Sequence, residues 1–195
     1  LVHPSLPAKS VAELIALAKA KPGQINYASG GNGSTAHLSA ELFKSMTGIN
    51  VVHVPYKGTA PALIGFLAGE ASLAFYSVSA TLPHVKAGRL RALATTGERR
   101  SPSLPDLPTV VEAGVPGFET GSWAGVLAPA GTPKSIIAKL HGEFTRILRL
   151  TEAKERLAAI DFEPVGNTPD AFGTIIRKEV VRWAKVVKES GAKLD

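Results

Sequence analysis

Residues 25–35, Ile25-Asn26-Tyr27-Ala28-Ser29-Gly30-Gly31-Asn32-Gly33-Ser34-Thr35, decide the fold that the sequence predicts. Strand-forming residues at 25–28 lead into a glycine-rich turn. The turn opens a helix that we predict to continue to about Met46, before Thr47-Gly48 closes it. The same order of strand, turn and helix recurs from residue 51 and again from residue 73. Short strands that alternate with helices predict parallel β-α-β units, right-handed crossovers and a sheet flanked by helices.

Caps and hydrophobic periodicity predict the elements outside this repeated unit. Ser10 and Glu13 form a capping box, in which the two side chains satisfy each other's exposed backbone donors, so we predict that a helix follows Ser10. Two further strands are predicted at 90–94 and 122–128, and a brief helix is predicted at 109–113.

Residues 126–195 are predicted to be rich in helix, with barely two strands. Two amphipathic helices open at Thr132-Pro133 and Thr168-Pro169, and each carries an apolar stripe that needs a partner surface. A segment of this kind cannot cover a sheet of its own, so we expect it to complete a domain that begins elsewhere. The stripes contain Ile136, Leu140, Phe144, Phe172, Ile176 and Trp183.

The composition limits the class of protein. The chain has 195 residues, of which 45% are hydrophobic, so it can bury a core and a disordered chain is excluded. The absence of cysteine excludes disulfides, thiolate zinc sites, iron–sulfur clusters and cysteine nucleophiles. The net charge of +6 comes from 22 basic residues dispersed along the chain. We therefore expect no nucleic-acid binding, whereas the positive charge favours capture of small anions.

The sequence offers no clear catalytic or metal-binding constellation. The five histidines lack the i, i+4 pairing of a helical metal site, and no acidic residue accompanies them at ligand spacing. Ser122 is not the serine of a nucleophile elbow, because its neighbouring glycines have the wrong spacing. Asp161 and Glu163 flank a phenylalanine and are predicted to face solvent, which argues against a general acid/base pair. We predict no catalytic residue, no metal and no cofactor.

Two turns that follow strands are suited to binding a small anion such as a carboxylate. In parallel α/β sheets, ligands bind beyond the carboxyl ends of the strands, where helix N-termini offer free N–H groups and partial positive charge. The first turn has three glycines and two hydroxyl donors, and it lacks the lysine of a Walker A loop; in the second, Thr59 precedes Pro61 and is expected to cap a helix. An ordinary glycine-rich turn with helix caps is the alternative. The residues assigned to the site are Ser29, Gly30, Gly31, Gly33, Ser34 and Thr35 of the first turn and Tyr56, Lys57, Gly58 and Thr59 of the second.

Five motifs in a fixed order carry a resemblance to a known family. They occupy residues 27–34, 52–58, 82–94, 104–114 and 127–133; the first is Tyr-Ala-Ser-Gly-Gly-Asn-Gly-Ser and the second Val-His-Val-Pro-Tyr-Lys-Gly. Together they resemble the Bug family of tripartite tricarboxylate transporter substrate-binding proteins. The match spans essentially the whole chain.

The resemblance implies an α/β fold of the type II periplasmic-binding-protein kind, with two lobes whose parallel or mixed sheets are flanked by helices. Residues 4–125 would form a nearly complete second lobe that carries the ligand loops. Residues 1–3 and 126–195 would form the C-terminal part of the first lobe. The remainder of that lobe would precede Leu1, so the resemblance implies an N-terminally truncated chain with an incomplete first lobe.

The resemblance also implies a function without chemistry. A member of this family would sit in the periplasm, capture a small carboxylate and hand it to the membrane subunits of a tripartite tricarboxylate-type transporter; no signal peptide is visible in this chain. Tyr76 stands where many relatives have an aspartate after the third strand. This difference favours plain carboxylates over amino acids and adds Tyr76 to the ligand-binding residues.

Two alternatives to carboxylate capture remain at this level. A truncated, non-binding structural or interaction fragment of such a protein would have the same motifs, whereas a stand-alone enzyme would need a nucleophile or a base in the loops. The apolar stripes of 126–195 must be covered in either case, so we expect self-association of the chain or cover by a segment that precedes it.

Overall fold

A three-stranded parallel sheet with helices on both faces forms the core of residues 1–121 in the structure, a computed structural model that describes residues 1–121 and 123–190. The strands β1 (Asn26–Ser29), β2 (Val52–Pro55) and β3 (Leu73–Ala74) lie in the order β2-β1-β3. This is the parallel α/β arrangement that the sequence predicts. The helices are α1 (Val11–Ala20), α2 (Thr35–Thr47), α3 (Thr59–Leu67), α4 (Val78–Lys86), α5 (Lys134–Leu148), α6 (Thr151–Ala159) and α7 (Pro169–Ser190).

The helices α2 and α3 pack on opposite faces of the sheet because β1 is the central strand. The helix α2 joins β1 to β2, and α3 returns the chain across β1 to β3, so right-handed crossovers in opposite directions place them on opposite sides. Tyr27 accordingly lies in one buried cluster with Phe43 of α2, whereas Ala28 lies in another with Phe66 of α3. Burial of a phenylalanine side chain stabilises by about 1.5–3 kcal/mol. Each helix is thus held to its own face of the sheet.

Caps fix the ends of α1 and α2 close to where the sequence predicts them. Ser10 Oγ accepts a hydrogen bond from the Glu13 N–H at 3.1 Å. The Glu13 carboxylate accepts from the Lys9 N–H at 2.7 Å rather than from Ser10, so only half of the predicted capping box is present. Gly48 ends α2 with φ of 68°, a left-handed conformation that glycine adopts without steric cost.

The predicted strand at 90–94 is wrong: it is reduced to an isolated bridge. Val2 pairs antiparallel with both Leu73 and Arg91, and its N–H donates to the Arg91 carbonyl at 2.8 Å. The pairing involves one residue on each side, which is too short for a continuous strand. Residues 1–3 therefore hydrogen-bond to β3 and its neighbours in the structure, whereas the resemblance groups them with 126–195.

Residues 109–113 form a turn rather than the predicted helix. The Ala113 N–H donates to the Thr109 carbonyl at 2.9 Å, and Thr109 and Glu112 cap each other as a helix start would. Gly114, with φ of 101°, then redirects the chain after a single turn. The capping contacts of a helix start are therefore present, but the chain does not continue into a helix after this turn.

No strand occurs at residues 123–128, because no described segment pairs with them. Ser122, the first residue of that predicted strand, lies outside the described residues.

The described chain divides into two compact units, residues 1–121 with 184–190 and residues 123–183. In the second unit, α5 and α6 contain no buried residue. Ile136, Leu140 and Phe144 of α5 are each 42–46% exposed, as the sequence leads us to expect of its apolar stripe. Over the described residues, no helix has both the length and the apolarity to cross a membrane.

Candidate functional site

Three turns meet at one edge of the parallel sheet, because the carboxyl ends of β1, β2 and β3 all lie there. The register pairs Ser29 with Pro55 and Ala28 with Ala74, so the turns that follow the strands begin side by side. The chain leaves β1 towards β2 and later crosses to β3 on the other side. Such a reversal of strand order is the place where ligands bind in open α/β sheets. The structure thus brings the two predicted ligand turns and Tyr76 to one edge.

The glycines of the first turn allow it to pack directly on the second. A Cβ atom at Gly30 would lie 3.0 Å from the Thr59 nitrogen, and one at Gly31 would lie 3.2 Å from the Tyr56 carbonyl oxygen. The Gly58 N–H also donates to the Gly30 carbonyl at 3.1 Å. From the sequence, we expect these glycines to let a ligand approach the backbone closely. In the structure, they also let the two turns pack against each other.

Several N–H groups of the first turn already have acceptors within the protein. The Gly33 N–H donates to His37 Nδ1 at 3.0 Å, and the Ser34 N–H donates to the Gly31 carbonyl at 3.3 Å. Ser34 Oγ accepts from the His37 N–H at 3.3 Å and so caps α2. Thr35 is exposed in the first turn of α2, where backbone N–H groups lack intrahelical acceptors. Of the predicted donors in this turn, the N–H and hydroxyl of Thr35 are therefore the best placed for an external anion.

In the second turn, the expected cap at Thr59 is wrong. The helix α3 begins at Thr59 itself, and Gly58 is the capping residue, with φ of 110° and no side-chain hydrogen bond. Lys57 and Thr59 are exposed. The hydroxyl of Tyr56 points away from the turn and donates to the Glu70 carboxylate at 2.8 Å.

Tyr76, after β3, has a buried hydroxyl that makes no hydrogen bond to any described residue. Its ring meets Phe66 edge-on, with ring centroids 6.2 Å apart. Burial raises the pKa of Tyr76 to about 12, and nearby Tyr56 adds to this effect. The phenol is consequently protonated at neutral pH and can act as a donor.

Beneath the glycine-rich turn lies a stack of three rings that sequence reasoning missed. Tyr27 of β1, His53 of β2 and His37 of α2 are nearly parallel, and the two imidazole centroids are 4.1 Å apart at an angle of 3°. His53 Nε2 lies 2.6 Å from the Oγ of Ser29, which is fully buried. Tyr27 and His53 are partners across the sheet, so their rings lie side by side. This contact can be inferred only when the register of β1 and β2 is known.

Burial is the main influence on the ionisable groups of this stack. It lowers the pKa of His53 to about 4, with nearby His37 as the second cause, and it also lowers the pKa of His37. Burial raises the pKa of Tyr27, whose hydroxyl donates to Glu41 at 2.6 Å. Glu41 also accepts from Lys44 at 2.7 Å. Both histidines are therefore neutral near pH 7. Among the described residues, no three histidine, aspartate or glutamate side chains are arranged to hold a metal ion.

The fold and the candidate site define the class of the chain as an α/β protein whose parallel strands bring three turns to one sheet edge. The chain belongs to the tripartite tricarboxylate transporter family of receptors: the sequence model described as "Tripartite tricarboxylate transporter family receptor" matches residues 1–192. Among curated relatives, protein BugT of Bordetella pertussis strain Tohama I is 40% identical over 194 residues, which cover 100% of this chain and 60% of BugT. The resemblance to the Bug family is confirmed.

Solved structures support the same fold class. "R. palustris Rpa4515 with adipate" is 42% identical with a TM-score of 0.86 over 98% of this chain and 64% of that one. "Structure of periplasmic binding protein BugD" is 32% identical with a TM-score of 0.82 over 98% and 65%. "MatC (Rpa3494) from Rhodopseudomonas palustris with bound malate" is 30% identical with a TM-score of 0.80 over 95% and 64%. The chain thus spans about three fifths of the length of BugT and just under two thirds of these three proteins.

Proposed function

We propose that this chain captures a small dicarboxylate in the periplasm and hands it to the membrane subunits of a tripartite tricarboxylate-type transporter. The observation that carries the proposal is that this chain is similar, over 98% of its length, to a protein solved with adipate. The protein solved with malate adds a second carboxylate, and BugD is described as periplasmic. The family is one of receptors, and binding without conversion is the role that we propose here.

The ligand-facing residues that we propose are those of the three turns, with Thr35 and Tyr76 as principal donors. An exposed helix start offers N–H groups to one carboxylate. The Tyr76 hydroxyl, which is buried and makes no hydrogen bond within the described part of the chain, would offer an O–H after a movement of its side chain. Gly30, Gly31 and Gly58 would shape the turns. The net charge of +6 favours the approach of an anion, and Tyr76 in place of an aspartate removes the partner that an ammonium group would need.

We further propose that residues 4–125 form the second lobe and that 126–195 return to the first. What supports this division is that the three turns all come from residues 29–77, on one sheet. Residues 1–3 hydrogen-bond to that sheet, so we assign them to the second lobe as well. The competing proposal, a fragment that binds no carboxylate and acts only through association, is supported by the exposed stripe of α5.

Isothermal titration calorimetry with adipate separates these proposals. We expect saturable binding of adipate and none of 1,4-diaminobutane, which has a similar length and the opposite charge. The variant Thr35→Val, which removes one hydroxyl and keeps the shape, should bind adipate about tenfold more weakly, since a hydrogen bond to a charged group contributes about 1.5–3 kcal/mol.

The matched control is Thr47→Val at the other end of α2, where the hydroxyl donates to the Phe43 carbonyl. This variant should keep the wild-type affinity. Absence of any saturable adipate binding would favour the non-binding fragment, whereas equal affinity of Thr35→Val and wild type would remove Thr35 from the site.

A further inference from the structure

We propose that His37 is a positioning residue for the glycine-rich turn, and that its neutral form holds the turn in the conformation that binds a carboxylate. The inference rests on the proposed function and deepens it, because it makes ligand affinity depend on the protonation of a residue beneath the site. The observations that carry it are the contacts of residues 29–37.

Gly33 in the turn contacts His37 of α2 directly. The Gly33 N–H donates to His37 Nδ1 at 3.0 Å, so that nitrogen must carry a lone pair and the ring proton must reside on Nε2. His37 is only 5% exposed, and its side chain lies under the turn. A protonated His37 would present an N–H to another N–H, and the turn would have to move. The described conformation therefore requires neutral His37.

Ser29, at the start of the turn, contacts His53 of β2. Ser29 Oγ lies 3.1 Å from both the nitrogen and the carbonyl oxygen of Gly31, and 2.6 Å from His53 Nε2. A hydroxyl can donate once and accept twice. If His53 carries its proton on Nε2, Ser29 accepts from His53 and from the Gly31 N–H and donates to the Gly31 carbonyl, so every contact is satisfied. The stack thus anchors the turn at Gly31 and at Gly33.

Charged and titratable groups from three elements surround His37. Tyr27 on β1 and His53 on β2 stack with its ring, and Glu41 and Lys44 of α2 act on it from its own helix. Glu41 favours the protonated form, whereas Lys44 opposes it. Burial is the largest influence and keeps the pKa below its ordinary value of 6.5. At neutral pH, His37 is therefore neutral and holds the glycine-rich turn through the Gly33 N–H. In acid, protonation of His37 removes this hydrogen bond.

A ligand-free experiment tests the contact itself. Long-range ¹H–¹⁵N NMR of the histidine rings in the 195-residue chain should show His37 with an unprotonated Nδ1 at pH 7.5. On acidification, the Gly33 amide resonance should shift with the same midpoint as the His37 ring. A proton on Nδ1 at pH 7.5, or a Gly33 amide that ignores the titration of His37, would overturn the proposal.

Two variants test the effect on binding, with adipate as the probe. His37→Asn places an amide oxygen where Nδ1 lies and cannot titrate, whereas His37→Leu keeps the bulk and removes the acceptor. We expect His37→Asn to bind adipate within about threefold of wild type at pH 7.5, and His37→Leu to bind about tenfold more weakly. Between pH 7.5 and pH 5, the affinity of wild type should fall more than that of His37→Asn.

The outcomes separate this inference from the proposed function. Equal affinity and equal pH dependence of all three proteins would overturn the role of His37. If wild type binds no adipate at any pH, the proposed function fails, and the NMR titration alone decides whether His37 holds the turn.

Discussion

At the scale of single residues, Gly30 is constrained by the close contact of two turns. A Cβ atom there would lie 3.0 Å from the backbone nitrogen of Thr59, which cannot swing aside as a flexible side chain could. We predict that Gly30→Ala destabilises the fold by about 1–3 kcal/mol, as overpacking typically does. The measurement is the urea midpoint of unfolding.

A glycine elsewhere in the chain provides the matched control. Gly142 lies within α5, where an added Cβ atom would meet no neighbour within 4 Å outside the backbone of its own helix. Gly142→Ala should therefore stabilise by about 0.5–1 kcal/mol through helix propensity. A Gly30→Ala protein with the wild-type midpoint would show that the turns do not pack as described.

The residues of the candidate site differ in how far the sequence reveals them. Glycines, caps and hydroxyls at a helix start are local signals, so residues 29–35 and 56–59 could be singled out without a structure. The contacts of His37 and His53 could not, because they join β1, β2 and α2 and depend on the register of the sheet. Local signals also mislead where a group has a partner elsewhere, as with the Gly33 N–H.

At the scale of elements, helices are more predictable from this sequence than strands. A helix satisfies its own backbone, so caps and periodicity located α1, α2, α5 and α7 to within a few residues. A strand exists only if another segment pairs with it. The segments 90–94 and 123–128 both have residues suited to strands. Among the described residues, however, the segment 90–94 forms a single bridge and the segment 123–128 forms none.

The stacked histidines should make stability depend on pH. The pKa of His53 is lowered to about 4 in the folded protein from an ordinary value of 6.5, so between these values the unfolded chain binds more protons than the folded one. Stability from this group is therefore complete above pH 6.5 and is lost as the pH falls towards 4. The urea midpoint of unfolding should therefore decrease as the pH is lowered from 6.5 to 4.

The variant His53→Gln isolates this contribution. Glutamine places an amide N–H where His53 Nε2 lies, so it can still donate to Ser29, but it does not titrate. Its urea midpoint should depend less on pH than that of wild type between pH 6.5 and 4. Identical slopes for the two proteins would mean that His53 does not contribute to the acid sensitivity.

At the scale of the whole molecule, the apolar stripe of α5 predicts how the chain behaves in solution. Ile136, Leu140 and Phe144 recur every four residues on one side of the helix and remain 42–46% exposed. Contiguous exposed apolar surface of this kind is typical of a surface that binds another protein surface. We predict that the 195-residue chain associates with itself through this stripe, with a concentration-dependent mass in sedimentation equilibrium.

A pair of variants of equal charge distinguishes the stripe from general electrostatics. Leu140→Glu removes apolar contact worth about 1.5–3 kcal/mol and places a carboxylate in the interface, so association should weaken at least about tenfold. Ser135→Glu adds the same charge to an exposed polar position at the start of α5 and should leave association unchanged. If the wild-type chain stays monomeric at every concentration, the exposed stripe does not drive self-association and the prediction is wrong. Equal weakening by both variants would show that association does not depend specifically on the apolar stripe.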